Sequence, residues 1–136
     1  MSYGATAALQ AAIYQTLVAD PVVQALAGGR IYDAPPVGAV PDLYVMLGPE
    51  DARDRGDFTG HAARHDFTVS VVANTGGFHR AKEIAAAISD ALVDGRPTLT
   101  RGRVVRMDFV RAVARRVGRA ARRRIDMRFA ALVAED

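Results

Sequence analysis

"FVRAVARRVGRAARRRIDMRF", residues 109–129, sets eight arginines against one acid and carries two apolar periodicities at once. Its flanks alternate. Val105, Met107 and Phe109 alternate with Arg106 and Asp108 on the way in, and Ile125, Met127, Phe129, Ala131 and Val133 with Asp126 and Arg128 on the way out. A period of two places those apolar residues on one face of a strand. Yet Val110, Val113, Ala114, Val117 and Ala121 also share a helical face, and alanine and arginine are good helix formers. Gly118 tips the balance, because glycine inside a helix costs about 1 kcal/mol relative to alanine and favours a bend. The stretch reads as a β-hairpin, with a short basic helix as the alternative for its middle. A hairpin centred near Gly118 pairs Phe109 with Met127 and Met107 with Phe129, and sets Asp108 opposite Arg128. Moving the centre to Val117 opposes Asp108 to Asp126 and Arg106 to Arg128, whereas a centre at Arg116 restores opposite charges. The register is narrowed, not set.

Upstream, the same periodicities give the remaining elements. Leu9, Ile13 and Leu17, with Ala5, Ala8 and Ala12 beside them, predict an amphipathic helix over residues 5–18. Asp20-Pro21 ends it, and Asp20 can cap a second, short helix carrying Val22, Val23 and Leu26 before Gly28-Gly29 stops it. "IYDAPPVGAVPD" reads as an extended loop, since its three prolines lack donors and restrict their neighbours. "LYVML" and "HDFTVSVVA" are strand language, with Phe67, Val69 and Val71 alternating against Thr68 and Ser70. Between them "GPEDARDRGDFTGHAAR" is too polar for a core and predicts a projecting interaction loop containing Glu50, Asp51, Arg53, Asp54, Arg55 and Asp57. "FHRAKEIAAAISDALVDG" carries the stripe Ala81, Ile84, Ala85, Ile88 and Leu92, with Gly95 as its stop. The expected fold is therefore α+β, two main helices packed on a four-stranded, mainly antiparallel sheet in the order α-β-β-α-β-β. Residues 1–136 are expected to form a single domain.

Composition limits the chemistry. There is no cysteine, which excludes disulfides, thiolate metal sites and a thiolate nucleophile. "MSYGATAALQ" lacks a charged n-region and a continuous apolar h-region, and no apolar run approaches the ~18 residues of a membrane span, so a soluble protein without a membrane partner is expected. Residues 101–128 hold eleven arginines and two acids, net +9, which leaves −6 for the rest of a chain whose total is +3. Such a split suits contact with a polyanion, or head-to-tail contact between copies.

No catalytic constellation emerges. His61 and His65 are four apart, a ligand spacing on a helix, but they lie in a loop-to-strand segment and read as surface or interface histidines. Ser70 sits mid-strand without the Gly-x-Ser-x-Gly turn that exposes a nucleophile, and reads as solvent-facing. "NTGGFHRAK" opens a helix after a strand, but its spacing matches neither a P-loop nor a dinucleotide fingerprint. The acidic loop lacks the ligand alternation of a calcium site and has Arg53 and Arg55 among its carboxylates. Neither enzyme activity, nor a cofactor, nor a metal is expected.

"RIYDAPPVGAVPDLYVMLG", an acidic loop, and "HDFTVSVVANTGGFHRAKEIAAAISDAL" together resemble the tail-completion, or tail terminator, family of long-tailed phages and prophages, including the versions in gene transfer agents. The resemblance rests on Ile31, Tyr32, Asp33 and Gly48 and runs from about Arg30 to Leu92. The final two strands agree in pattern only. Val72 and Ala73 stand where the family commonly has an aromatic. The resemblance implies a structural virion protein that assembles as a hexameric ring, caps the tail tube, ends its polymerisation and joins it to the head-side connector or stopper protein, with DNA passing transiently through the lumen. It also implies a cytoplasmic location during assembly and then a place at the head-tail junction of a phage-like particle.

On that reading Arg115, Arg116, Arg119, Arg122, Arg123 and Arg124 form a basic tip that either attracts phosphates without reading bases or docks on an acidic protein ring. Sliding DNA needs weak contact, which favours docking. The alternative from another class is a stand-alone, sequence-independent nucleic-acid-binding protein using the arginines of residues 111–124. A membrane-surface helix is disfavoured, because residues 110–124 offer only valine and alanine as apolar anchors.

Overall fold

A computed structural model describes residues 3–34, 38, 41–55, 61–74, 77–118 and 122–135. Along these residues run α1 (Thr6–Ala19), α2 (Pro21–Ala27), β1 (Ile31–Tyr32), β2 (Leu43–Asp54), β3 (His61–Ala73), α3 (Phe78–Gly95), β4 (Arg103–Val117) and β5 (Arg122–Glu135). The strands form one mixed sheet in the order β1-β2-β3-β5-β4, with β1 parallel to β2 and the other pairs antiparallel. The class is α+β. The four strands and the order α-β-β-α-β-β are corrected to five strands, because β1 precedes the first long strand; the helix beyond the two main ones is the short one expected after Asp20. Ile31 and Tyr32, expected in a loop, pair with Val45 and Met46.

The helices follow their sequence signals closely. Leu9, Ala12, Ile13 and Leu17 are the buried side of α1. Asp20 Oδ1 accepts the Val22 and Val23 N–H groups, both at 3.0 Å, and Pro21 stands at the start of α2, where its missing donor costs nothing. Val23 and Ala27 enter the core, whereas Val22 is exposed. Ala81, Ile84, Ala85, Ile88 and Leu92 of α3 are all buried. That helix runs through Gly95, and the residue that takes the left-handed conformation after it is Arg96 at φ 41°, not the glycine.

All three helices share a core with one face of the sheet. From β3 it receives Phe67, Val69 and Val71, and from β5 Ile125, Met127, Phe129, Ala131 and Val133. The Phe67 and Phe129 rings stack at 5.6 Å between centroids. Side chains of this size contribute roughly 1.5–3 kcal/mol each on burial.

The decisive stretch is a hairpin, with β4 and β5 paired as far as Val117 and Arg122 and Gly118 at φ 76° after the last β4 residue. Its register differs from the expected one. Phe109 lies opposite Phe129, Met107 opposite Ala131, Asp108 opposite Ala130 and Arg111 opposite Arg128. The shift is two residues, so Met107 and Phe109 stay on the face of Phe129, as strand alternation requires. Register breaks between Val104 and Arg106 and between Phe109 and Arg111 insert Val105 and Val110 as extra residues. Each reverses the alternation of β4, so Ala112 and Ala114, not Val113, share the face of Met127 and Ile125.

The expected acidic loop is mostly strand. Glu50, Asp51, Ala52, Arg53 and Asp54 continue β2 past a break after Leu47, paired with Phe67 back to Ala63 of β3. Polar residues extend here because backbone pairing with β3 supplies the order and the outer face of the sheet meets water. Arg55 follows the strand, its N–H donating to Ala62 O at 2.8 Å, and Asp57 lies outside the described residues. One end of the sheet is marked by His61 opposite Glu135 and Arg103 opposite Ala134, the other by Leu43 opposite Ala73 and Val117 opposite Arg122. The two long hairpins therefore turn at opposite ends.

Candidate functional site

Strand alternation divides the basic tip between two faces. Arg115 pairs across the ladder with Arg124 on the outer face, away from the helices, and Arg116 with Arg123 on the helix side. Arg122 stands opposite Val117, and Arg119 lies outside the described residues. Like charges directly opposite are unfavourable, so the hairpin requires compensation.

Asp126 supplies it. Its carboxylate accepts from Arg124 Nε at 2.8 Å and Arg115 Nη2 at 3.2 Å, and from Ser70 Oγ of β3 at 2.6 Å. Arg124 Nη2 in turn donates to Ser70 Oγ at 3.3 Å. Burial pushes the Asp126 carboxyl up. The hydrogen bonds from Ser70, Arg124 and Arg115, together with the Arg124 charge, outweigh burial and hold it below the usual carboxylate range. Ser70, expected to face solvent, is 1% exposed under this network. On the other face the Arg123 guanidinium lies 5.7 Å from the Phe78 ring centre at the start of α3, a cation–π contact.

Three of the predicted tip residues are thus positioned by neighbours, while Arg116 and Arg122 stand exposed. Sequence reasoning missed Asp126 as the organiser. Its signal was available, since it is the one acid between Phe109 and Phe129.

The Glu50–Asp54 arm belongs to the opposite end. Asp51 pairs with Arg53 at 3.3 Å on the outer face, and Arg64 Nη2 donates to Asp66 Oδ1 at 3.0 Å beside them. An open cavity of about 660 Å³ lies over this face, lined by Glu50, Asp51, Arg53, Arg64, Asp66 and Arg128 among others. Its mixed charges hold no convergent set of catalytic groups. Glu50 turns partly inward, accepting from Thr6 Oγ1 at 2.7 Å, with His65 Nδ1 3.6 Å from its carboxylate. His65 is 1% exposed and stacks on Tyr3 at 6.3 Å, which corrects its reading as a surface or interface histidine; His61 is exposed. In a strand the two are separated by about 13 Å, so they do not converge.

Among the described residues no cluster of three or more His, Asp or Glu side chains is arranged to hold a metal ion. No helix among them is long and apolar enough to cross a membrane.

Comparison with known proteins adds a second line. The family described as tail completion protein gp17 matches residues 11–134. A chain in a solved structure described as the virion of a native gene transfer agent particle is 53% identical, with a TM-score of 0.91, and the match covers 98% of this chain and 99% of that one. No match is found among curated proteins.

Proposed function

Because this chain belongs to the tail completion protein gp17 family, it is a structural tail protein, and we propose that it closes the tail tube as a ring, ends tube polymerisation and joins the tail to the head-side connector. The family is not an enzyme class. The observation that carries the reading is the near-complete match, at 53% identity, to a chain of a gene transfer agent virion. A single domain of residues 1–136 repeats around the ring, six copies enclose a lumen that conducts DNA, and the protein passes from the cytoplasm of the producing cell into the head-tail junction.

Within the ring the basic tip of Arg115, Arg116, Arg119, Arg122, Arg123 and Arg124 docks on an acidic ring of the tube or connector protein. Two observations support docking over DNA binding: Asp126 neutralises part of the tip, and like-charged pairs held in a fixed hairpin suit a protein surface of defined geometry. The arm of Glu50, Asp51, Arg53, Asp54, Arg55 and Asp57 makes contacts at the other end of the subunit.

The test is removal of the gene from producing cells. Tubes of uncontrolled length and heads lacking tails are expected, restored by the wild-type gene but not by one carrying Arg115→Glu, Arg116→Glu and Arg122→Glu. Particles of normal length and composition without the protein would refute the function. Tight, salt-sensitive DNA binding by the purified chain, lost on changing Arg122, Arg123 and Arg124 to serine, would support the stand-alone nucleic-acid-binding alternative instead.

A further inference from the structure

The two edges of the sheet are unlike and complementary. On one side β1 pairs with β2 only at Val45 and Met46, so no strand among the described residues lies beside Glu50–Arg53 on that edge. On the other side β4 is the edge strand, and Phe109, Val110, Val113 and Val117 along it are 48%, 45%, 36% and 36% exposed. A long, partly apolar edge is a template for another strand.

Charge selects which strand. β4 carries Arg103, Arg106, Arg111, Arg115 and Arg116 against Asp108, so two copies of β4 repel each other. The β2 arm carries Glu50, Asp51 and Asp54 against Arg53. Direction and height also agree. Within the sheet β2 is antiparallel to β3, β3 to β5 and β5 to β4, so β2 runs antiparallel to β4. Two copies set side by side in the same orientation bring β4 against the next β2 in antiparallel sense. Asp51, Asp66, Ala130 and Asp108 share one row across the sheet, so the two edges stand level.

We propose that β4 of one copy pairs with the Glu50–Arg53 edge of β2 in the next, making the sheet continuous between neighbouring copies. A level register sets Asp51 on Asp108 and Arg53 on Arg106, which is repulsive. Stepping the neighbour by two residues, about 7 Å, one way sets Asp51 opposite Arg106 but Arg53 opposite Arg103. The opposite step sets Asp51 opposite Arg111 and Arg53 opposite Asp108, against the single like pair Arg55–Arg106, and is the register adopted. The contact is heterologous, with a different surface contributed by each partner, as a closed ring requires. It rests on the ring reading above and names the surface that reading leaves open.

The absence of native cysteine makes the test clean. Asp51→Cys and Arg111→Cys are introduced singly and together, and the concentrated protein is oxidised. Within one copy the two positions are separated by two strands, about 14 Å, beyond the reach of a disulfide. The double variant is expected to give covalent multimers, and each single variant dimers at most. A double variant pairing Asp51→Cys with Arg115→Cys, far out of register, should not cross-link. Independently, Asp51→Arg or Arg111→Asp alone should weaken association at least tenfold, and the two together should restore it. Oligomers of wild-type mass without cross-links, or a strict monomer at the highest soluble concentration, overturn the edge pairing. The ring function itself is judged separately by tail length in cells lacking the gene.

Discussion

Asp126 shows how one acid organises a basic surface. It stands opposite Val113 on the ladder, between the like-charged pairs Arg111–Arg128 and Arg115–Arg124, and gathers Arg115, Arg124 and Ser70. Asp126→Ala should cost about 2 kcal/mol in chemical denaturation, the scale of a hydrogen-bonded charge that is lost while its partners remain. The pH dependence follows from the lowered carboxyl. A group whose folded pKa is depressed adds stability above its unfolded value, near 3.9 for aspartate, and loses it as pH falls through the folded value. The gap between wild type and Asp126→Ala should therefore be constant from about pH 5 to 8 and shrink below about pH 4. A gap that widened in acid would contradict this account. Gly102 is the other position with a narrow tolerance: at φ 78° an added Cβ would also lie 2.9 Å from Ala134 O. Gly102→Ala should destabilise by about 2–3 kcal/mol, the left-handed penalty plus the clash. A loss below half a kcal/mol would show that the backbone gives way there.

At the scale of elements, the bulge at Val110 connects a core-packed strand to an exposed tip. Deleting Val110 removes the inserted residue, so Arg111 follows Phe109 directly and the ladder becomes regular while Met107 stays anchored in the core. NMR should then find Phe109 still opposite Phe129 and Arg111 still opposite Arg128, with stability changed by no more than about 1 kcal/mol. A one-residue shift of either pair would contradict this account. This bulge also marks where sequence reading stopped working. The stripe of α3, the Asp20 cap and the alternation of β5 were legible, because each follows from a local period or a local hydrogen bond. β4 was legible only as a strand, since an inserted residue has no compositional mark and displaces every later assignment of face. Glu50–Asp54 looked like loop because polarity there reports the wet outer face, not the backbone pairing. Ser70 and His65 looked exposed because the groups that cover them, Asp126 and Glu50 included, come from distant parts of the chain. The arginine cluster was legible as charge, and its division between two faces was not.

The whole molecule is a sheet with helices on one side, two unlike edges and two unlike ends. The arginines of β4 oppose a symmetric pairing of β4 with itself, and unlike edges permit head-to-tail addition. A step repeated from copy to copy closes only when the strands tilt against the ring axis, as in any closed sheet with a staggered register. Association through charged edges should weaken as salt rises, measurable as a falling mean mass by light scattering between low and high ionic strength. Association unaffected by salt would place the contact on the helices instead. The opposed hairpin turns have one more consequence. The chain carries positive charge at one end of its strands and a mixed, more acidic arm at the other, which amounts to an electric dipole along the strand direction. Copies related by rotation about an axis share the axial component of that vector, while the lateral components cancel. The proposed ring of such copies would be electrically polarised along its bore, with its two mouths presenting different potentials to whatever approaches them.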